Sequence, residues 1–191
     1  MSIKKFFVIA LFFLAFVTQS IAQVKKDLVK YASARDAIYA LIDTVSKSGI
    51  NSADWLMKTK AANKNLKADL DNWMNIYGEA LTNVKPWTVS TETIPDNGVN
   101  PALHINFTTK NGIVFVLVRG VMRDVLIKSL SVTGSLKPME VIKMLGSEER
   151  ISWEQQEHGL ILEKPESLAS QDAIVFKISF QEYYKSTGTV H

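Results

Sequence analysis

The sequence predicts a mainly β protein with N-terminal helices: an antiparallel β-sandwich of about eight strands covered by two or three α-helices. Three observations carry this. Apolar residues recur at helical spacing up to Pro86, the period then shortens to two, and the strand-like runs that follow are separated by turn residues with no helical stretch between them.

From Val24 to Lys47 the apolar positions are Leu28, Tyr31, Ala34, Ile38, Leu41, Ile42 and Val45, one face of an amphipathic helix. Gly49 follows as a C-terminal cap. Asn51 or Ser52 caps a second segment, whose apolar face is Leu56, Leu66, Leu70, Trp73, Met74, Tyr77 and Leu81. Few apolar residues lie between Lys58 and Lys67, so a break is expected near Asn63-Lys64-Asn65. Pro86 is read as the end of the helical part.

The first strand is read over Thr88 to Ile94, followed by the turn Pro95-Asp96-Asn97-Gly98. Leu103 to Thr109 and Ile113 to Arg119 flank Lys110-Asn111-Gly112, and Asn-Gly is the strongest short hairpin signal. Five runs complete the sandwich: Val125 to Leu130, Met139 to Leu145, Ile151 to Gln155, Leu160 to Glu163 and Ala173 to Phe180. Alternation of Leu103, Ile105, Phe107 and of Ile174, Phe176, Ile178, Phe180 buries one face of those strands.

Residues 1–22 read as an export signal. Lys4 and Lys5 precede an apolar run of 12 residues, Phe6 to Val17, and Ser20-Ile21-Ala22 places small residues for cleavage before Gln23. Twelve helical residues reach about 18 Å, short of a ~30 Å hydrocarbon layer. The expectation is an exported chain, periplasmic or extracellular, with no transmembrane segment after cleavage. Losing Lys4 and Lys5 leaves 20 basic against 19 acidic residues, a net of +1. With no basic block interleaved with aromatics, a nucleic-acid partner is not expected. The chain has no Cys, which excludes disulfides, thiolate metal sites and Cys nucleophiles. The domain expectation is a signal over 1–22, a helical segment over 23–86, a sandwich over 87–184 and a tail over 185–191.

No catalytic constellation, cofactor site or metal site is legible. His104, His158 and His191 have no carboxylate or histidine at a metal-ligand spacing, and His104 falls on the polar register of its strand. Glu148-Glu149 and Glu154 with Glu157 are carboxylate clusters of the kind glycoside hydrolysis needs, but both sit at turns, where Glu is ordinarily solvated. Asp96 to Asn100 lacks the alternating ligands of a calcium loop. Asn106-Phe107-Thr108 is a glycosylation sequon inside a strand. Of the four Trp, burial is the commoner expected fate for Trp73, Trp87 and Trp153 alike, with Trp55 more evenly balanced. Because sugars stack on exposed aromatic faces, Trp55, Trp87 and Trp153 are the candidate glycan contacts.

Several segments together resemble the last third of the α-L-fucosidase family of glycoside hydrolases. Asn72-Trp73-Met74-Asn75-Ile76-Tyr77-Gly78-Glu79-Ala80-Leu81, with Val84-Lys85-Pro86-Trp87, resembles the closing helix of that family's catalytic barrel. Leu41 to Gly49 is similar to the helix before the barrel's final strand. Phe107 to Gly112, Val141 to Ser147 with Ile151 to Gln155, and His158 to Pro165 with Ala173 to Ile178 resemble strands of its C-terminal β-sandwich. Where the family has its final barrel strand, this chain has Ile50 to Met57, which reads as a helix start. The family's nucleophilic Asp and its acid/base residue belong to the earlier barrel, and nothing here corresponds to them. The resemblance therefore implies no catalytic residue. A (β/α) barrel needs ~200 residues, far more than the segment 23–86.

The helices are expected to cover a sandwich face that would otherwise be bare, through Leu66, Leu70, Trp73 and Tyr77. Three functional readings follow. The first is an exported non-catalytic protein that binds fucosylated glycan or assists a glycan-degrading enzyme. The second is a structural module docking on a partner protein, and the third a fucosidase component completed by another chain.

Overall fold

The computed structural model describes residues 30–120, 122–132, 138–168, 170 and 172–181. The expected export signal, residues 24–29 of the first expected helix, and the expected tail with His191 lie outside them.

Helix α1 (Ala34–Ser48) is bounded by two local devices. Ser33 is extended, and its hydroxyl accepts from Asp36 N at 3.2 Å; Gly49 is left-handed at φ 64° and donates its N–H to Val45 O at 2.9 Å. The helix thus starts at the Ser33 cap rather than at Val24, and Tyr31, expected on its face, is outside it. Tyr31 N instead donates to Asn63 Oδ1 at 2.8 Å. Helix α2 (Ser52–Ala62) is capped by Asn51, whose side chain accepts from Ala53 N. The break falls at Asn63; a 3₁₀ turn, Lys64–Leu66, leads into α3 (Lys67–Tyr77), and another, Gly78–Ala80, ends the helical part. Pro86 is not the boundary. It lies inside the first strand, tolerated because that strand is at a sheet edge.

Eight strands follow: β1 (Lys85–Ile94), β2 (Leu103–Lys110), β3 (Ile113–Arg119), β4 (Val125–Ile127), β5 (Met139–Met144), β6 (Trp153–Gln156), β7 (Gly159–Leu162) and β8 (Ala173–Phe180). They form a five-stranded sheet in the order β1-β2-β3-β8-β5 and a three-stranded sheet β4-β7-β6, with every pairing antiparallel. This is the sandwich with helical cover that the sequence predicts. Asn111 and Gly112, at φ 52° and 77°, make the β2–β3 turn. β4 stops at Ile127, short of Leu130, because the Glu92 carboxylate on β1 captures Lys128 N at 2.9 Å and Ser129 N at 3.0 Å and winds that segment into a turn.

The core is in two layers, and β3 serves both. Val114, Val116 and Val118 face the inter-sheet cluster with Phe107, Phe176 and Leu160; Phe115 and Leu117 face the helices. That double burial explains the near-continuous apolar run of β3. The cover includes the expected Leu66, Leu70, Trp73 and Tyr77, and equally Ile38, Leu41, Ile42 and Val45 of α1. Among the described residues no helix is long and apolar enough to cross a membrane.

Candidate functional site

The three candidate Trp residues sit in different parts of the fold. Trp55, on α2, is half-buried with its ring 5.8 Å from that of Tyr31, on the rim of the helix–sheet cluster. Trp87, on β1, is partly buried on the inter-sheet core, 5.2 Å from Phe107. Trp153, on β6, also touches that core and lines an open cleft. β1 and β5 are the opposite edges of the larger sheet, so Trp87 and the cleft are on opposite sides of the sandwich.

The cleft lies where β5, one edge of the five-stranded sheet, meets β6, one edge of the smaller one. Its volume is about 950 Å³. Buried Ile142 and Ile151 provide apolar lining, and Trp153 stands beside them. Glu140, Glu154, Glu163 and Arg150 supply charge, an excess of two negative over positive. The two edges are held in place by Gln155: its Oε1 accepts from Met139 N at 3.2 Å, and its Nε2 donates to Leu130 O at 3.3 Å. The cleft thus offers one half-buried indole face among carboxylates and a guanidinium.

The other sequence candidates have structural occupations. Glu149 accepts from Glu166 N at 2.7 Å and from Ser167 N and Oγ, both at 3.2 Å. Those donors hold its carboxyl below the usual range, so it staples a loop as an anion instead of acting as a proton donor. Glu157 and His158 form the β6–β7 turn, and exposed His104 faces Thr93. Asp96 and Asn97 accept hydrogen bonds from the backbone of their own turn. No group of three or more metal-ligating side chains occurs among the described residues. The Asn106 sequon is fully buried, its amide donating to Asp43 Oδ1 at 3.0 Å and Ser46 Oγ at 2.7 Å, so the folded chain offers no glycosylation acceptor there.

Asp43 and its partners are polar residues that sequence reasoning missed. Arg119 Nη2 donates to Asp43 Oδ1 at 2.9 Å, and the guanidinium lies 5.2 Å from the centre of the Tyr39 ring. Burial raises the Asp43 pKa, but the hydrogen bond from Asn106 and the charges of Arg119 and Lys47 outweigh it, leaving the carboxyl below its ordinary value. The available signal was an Asp directly after Leu41-Ile42 on an apolar helix face and an Asn inside a buried strand.

No family model and no curated protein matches the chain. Solved structures do. The α-fucosidase of Thermotoga maritima superposes with a TM-score of 0.56 at 18% identity, over 80% of this chain and 36% of that one. The chain has the fold of one part of an α-L-fucosidase. The complex of the Thermotoga enzyme with fucose gives a TM-score of 0.56 at 20% identity over 76% of this chain and 34% of that one. The α-L-fucosidase isoenzyme 1 of Paenibacillus thiaminolyticus gives 0.55 at 13% identity, over 80% and 35%. The chain thus spans about a third of the length of the fucosidases it resembles, as a C-terminal-domain-like fragment would.

Proposed function

We propose that this chain is an exported glycan-binding protein, accessory to fucoside breakdown and not itself catalytic, with the β5–β6 cleft as its binding surface. The observation that carries the reading is Trp153, half-buried in that cleft and flanked by Glu154 and Arg150. Its ring takes the apolar face of a sugar, and the neighbouring carboxylates accept from the sugar's hydroxyls. Retaining glycoside hydrolysis instead needs two carboxyl groups about 5 Å apart across a rigid pocket; of the carboxylates first considered, Glu149 is committed to backbone amides. The likeness to fucosidases over about a third of their length supports fucosylated glycan as the ligand class.

A protein-docking role draws less support. Ile50, Met57 and Ile76 are the large apolar side chains exposed around α2 and α3 among the described residues, and single exposures of this kind are ordinary.

A glycan array with the purified protein tests the reading. Fucosylated oligosaccharides should bind, and Trp153→Ala should weaken them about tenfold or more while Trp55→Ala leaves them unchanged, tenfold corresponding to ~1.4 kcal/mol of lost stacking. A blank array from a cooperatively melting protein would refute glycan binding. Cleavage of an aryl α-L-fucoside at a rate that survives repurification would refute the non-catalytic part.

A further inference from the structure

We infer that the residues following β8 are the occupant of the β5–β6 cleft when no glycan is bound, with Tyr183 over the Trp153 indole and Lys185 among the carboxylates beside it. This occupancy rests on the reading of that cleft as the binding surface, and it makes 182–191 an autoinhibitory segment. Those residues lie outside the described ones. What bears on them is the place where the chain leaves the sheet and the side chains they carry.

The chain leaves the sheet beside the cleft. Gln181 N donates to Pro138 O at 3.0 Å, and the next residue, Met139, donates its N–H to Gln155 Oε1 at 3.2 Å. Gln155 and Trp153 are two apart on β6, so their side chains share one face and stand about 7 Å from each other. An extended chain advances ~3.3 Å per residue, so two residues beyond Gln181 cover that distance. The second of them is Tyr183. The rim offers backbone groups as well. Leu145 N donates to Val175 O, so the N–H groups of Lys143 and Val141 also point to β8, and that of Ile142, in the cleft lining, points away from it. A strand edge of this kind receives a passing extended chain.

Charge fits the same placement. Side chains alternate along an extended segment, so Tyr183 and Lys185 project to one side, Glu182 and Tyr184 to the other. With Tyr183 on the indole, Lys185 comes within reach of Glu154 and Glu163, and Glu182 is turned away from them. The carboxylates of Glu140, Glu154 and Glu163 have no partner of their own among the described residues. One ring and one cation thus meet an indole and an excess of negative charge. Because the segment is tethered at the rim, its effective concentration is high, and contacts this few suffice to fill the cleft.

Hydroxyl-radical footprinting of the full chain tests this without a sugar. Trp153 should be oxidised several-fold faster in Tyr183→Ala and in Lys185→Glu than in the wild type, and at the wild-type rate in Tyr184→Ala. Equal rates in all these proteins would overturn the inference, as would an effect of Tyr184→Ala alone. Protection of Trp153 that is lost on dilution would put the segment of a second copy in the cleft and overturn it too. The variants should keep the wild-type Tm; faster oxidation with a lowered Tm would mean unfolding and count against the contact. A fucosylated oligosaccharide that binds the wild type should bind Tyr183→Ala about tenfold more tightly, as for a cleft about nine-tenths occupied by its own chain. Unchanged affinity would overturn the autoinhibitory role. If no protein in the series binds a glycan while Trp153 stays protected, the glycan reading fails and the contact stands.

Discussion

Asp43 shows how much one side chain decides. It accepts from Asn106 on β2 and Arg119 on β3 while belonging to α1, so one carboxylate bolts the helix to two strands. Its pKa is lower in the folded chain than the ordinary carboxylate value of about 4. A group depressed in this way contributes stability that is complete above the unfolded value and is lost as pH falls through the lower folded one. The Tm of the wild type should therefore exceed that of Asp43→Asn at neutral pH, and the two should converge as pH falls below the ordinary carboxylate value of about 4. Parallel curves would mean that Asp43 is not the group that couples helix docking to acid. Glu149 is depressed by backbone donors as well, so Glu149→Gln should show a convergence of the same sign, read in the same titration. Arg119→Met tests the pair from its other side. With the guanidinium side chain only 12% exposed, its loss leaves Asp43 short of its main charge partner, and the variant should melt below the wild type.

Elements in this chain are set by short devices whose strength differs. Ser33 caps α1 through one hydroxyl, and Ser33→Ala should cost about 1 kcal/mol by chemical denaturation. Gly159 is far less replaceable. At φ 149° it opens β7, where an added Cβ would lie 2.7 Å from Ile127 O and 2.9 Å from Leu126 Cδ1. Both neighbours belong to β4, so Gly159→Ala pushes β4 away from β7 as well as straining the turn. It should destabilise by about 2 kcal/mol or more, in the range that strained backbone positions reach, with loss of hydrogen-exchange protection across β4 and β7. A Gly159→Ala protein as stable as the wild type would show that the small sheet adjusts freely. β6 is the short edge strand that carries Trp153, and Gln155 fixes it against β5. Gln155→Ala should therefore weaken ligand binding at the cleft without removing any group from its lining.

Taken whole, the molecule has helices that complete the larger sheet rather than decorate it. Phe115, Leu117 and Val175 are fully buried, and the helical layer is what buries them. Without it, three large apolar side chains on adjacent strands would face water. Helices and sandwich should consequently unfold in one transition. Leu41→Ala, at a fully buried position of α1, should lower stability by about 2–5 kcal/mol and reduce amide protection in β3 and β8 as much as in α1. Separate helical and strand transitions, followed by far-UV circular dichroism and by Trp fluorescence, would refute that coupling. It is also the reason a truncation to the strands alone should aggregate.

Much of this architecture is legible in the sequence because periodicity and turn chemistry are local. The 3.6-residue spacing of Ile38, Leu41, Ile42 and Val45, the Asn111-Gly112 turn, and the alternation in β8 each report which face of one element is apolar. These signals locate α1, the β2–β3 hairpin and Ala173–Phe180 with little or no error in their strand bounds. The start of α1 was less legible, because apolar residues ahead of Ser33 continue the helical spacing while the capping hydroxyl ends it. The cleft was not legible at all. It needs two sheet edges to meet, and Asp43 likewise finds Arg119 across 76 residues. Local sequence determined what each segment buries. Only tertiary packing decided which buried faces share a layer, and hence which polar groups stand together, because that choice is made by contacts far apart in the chain.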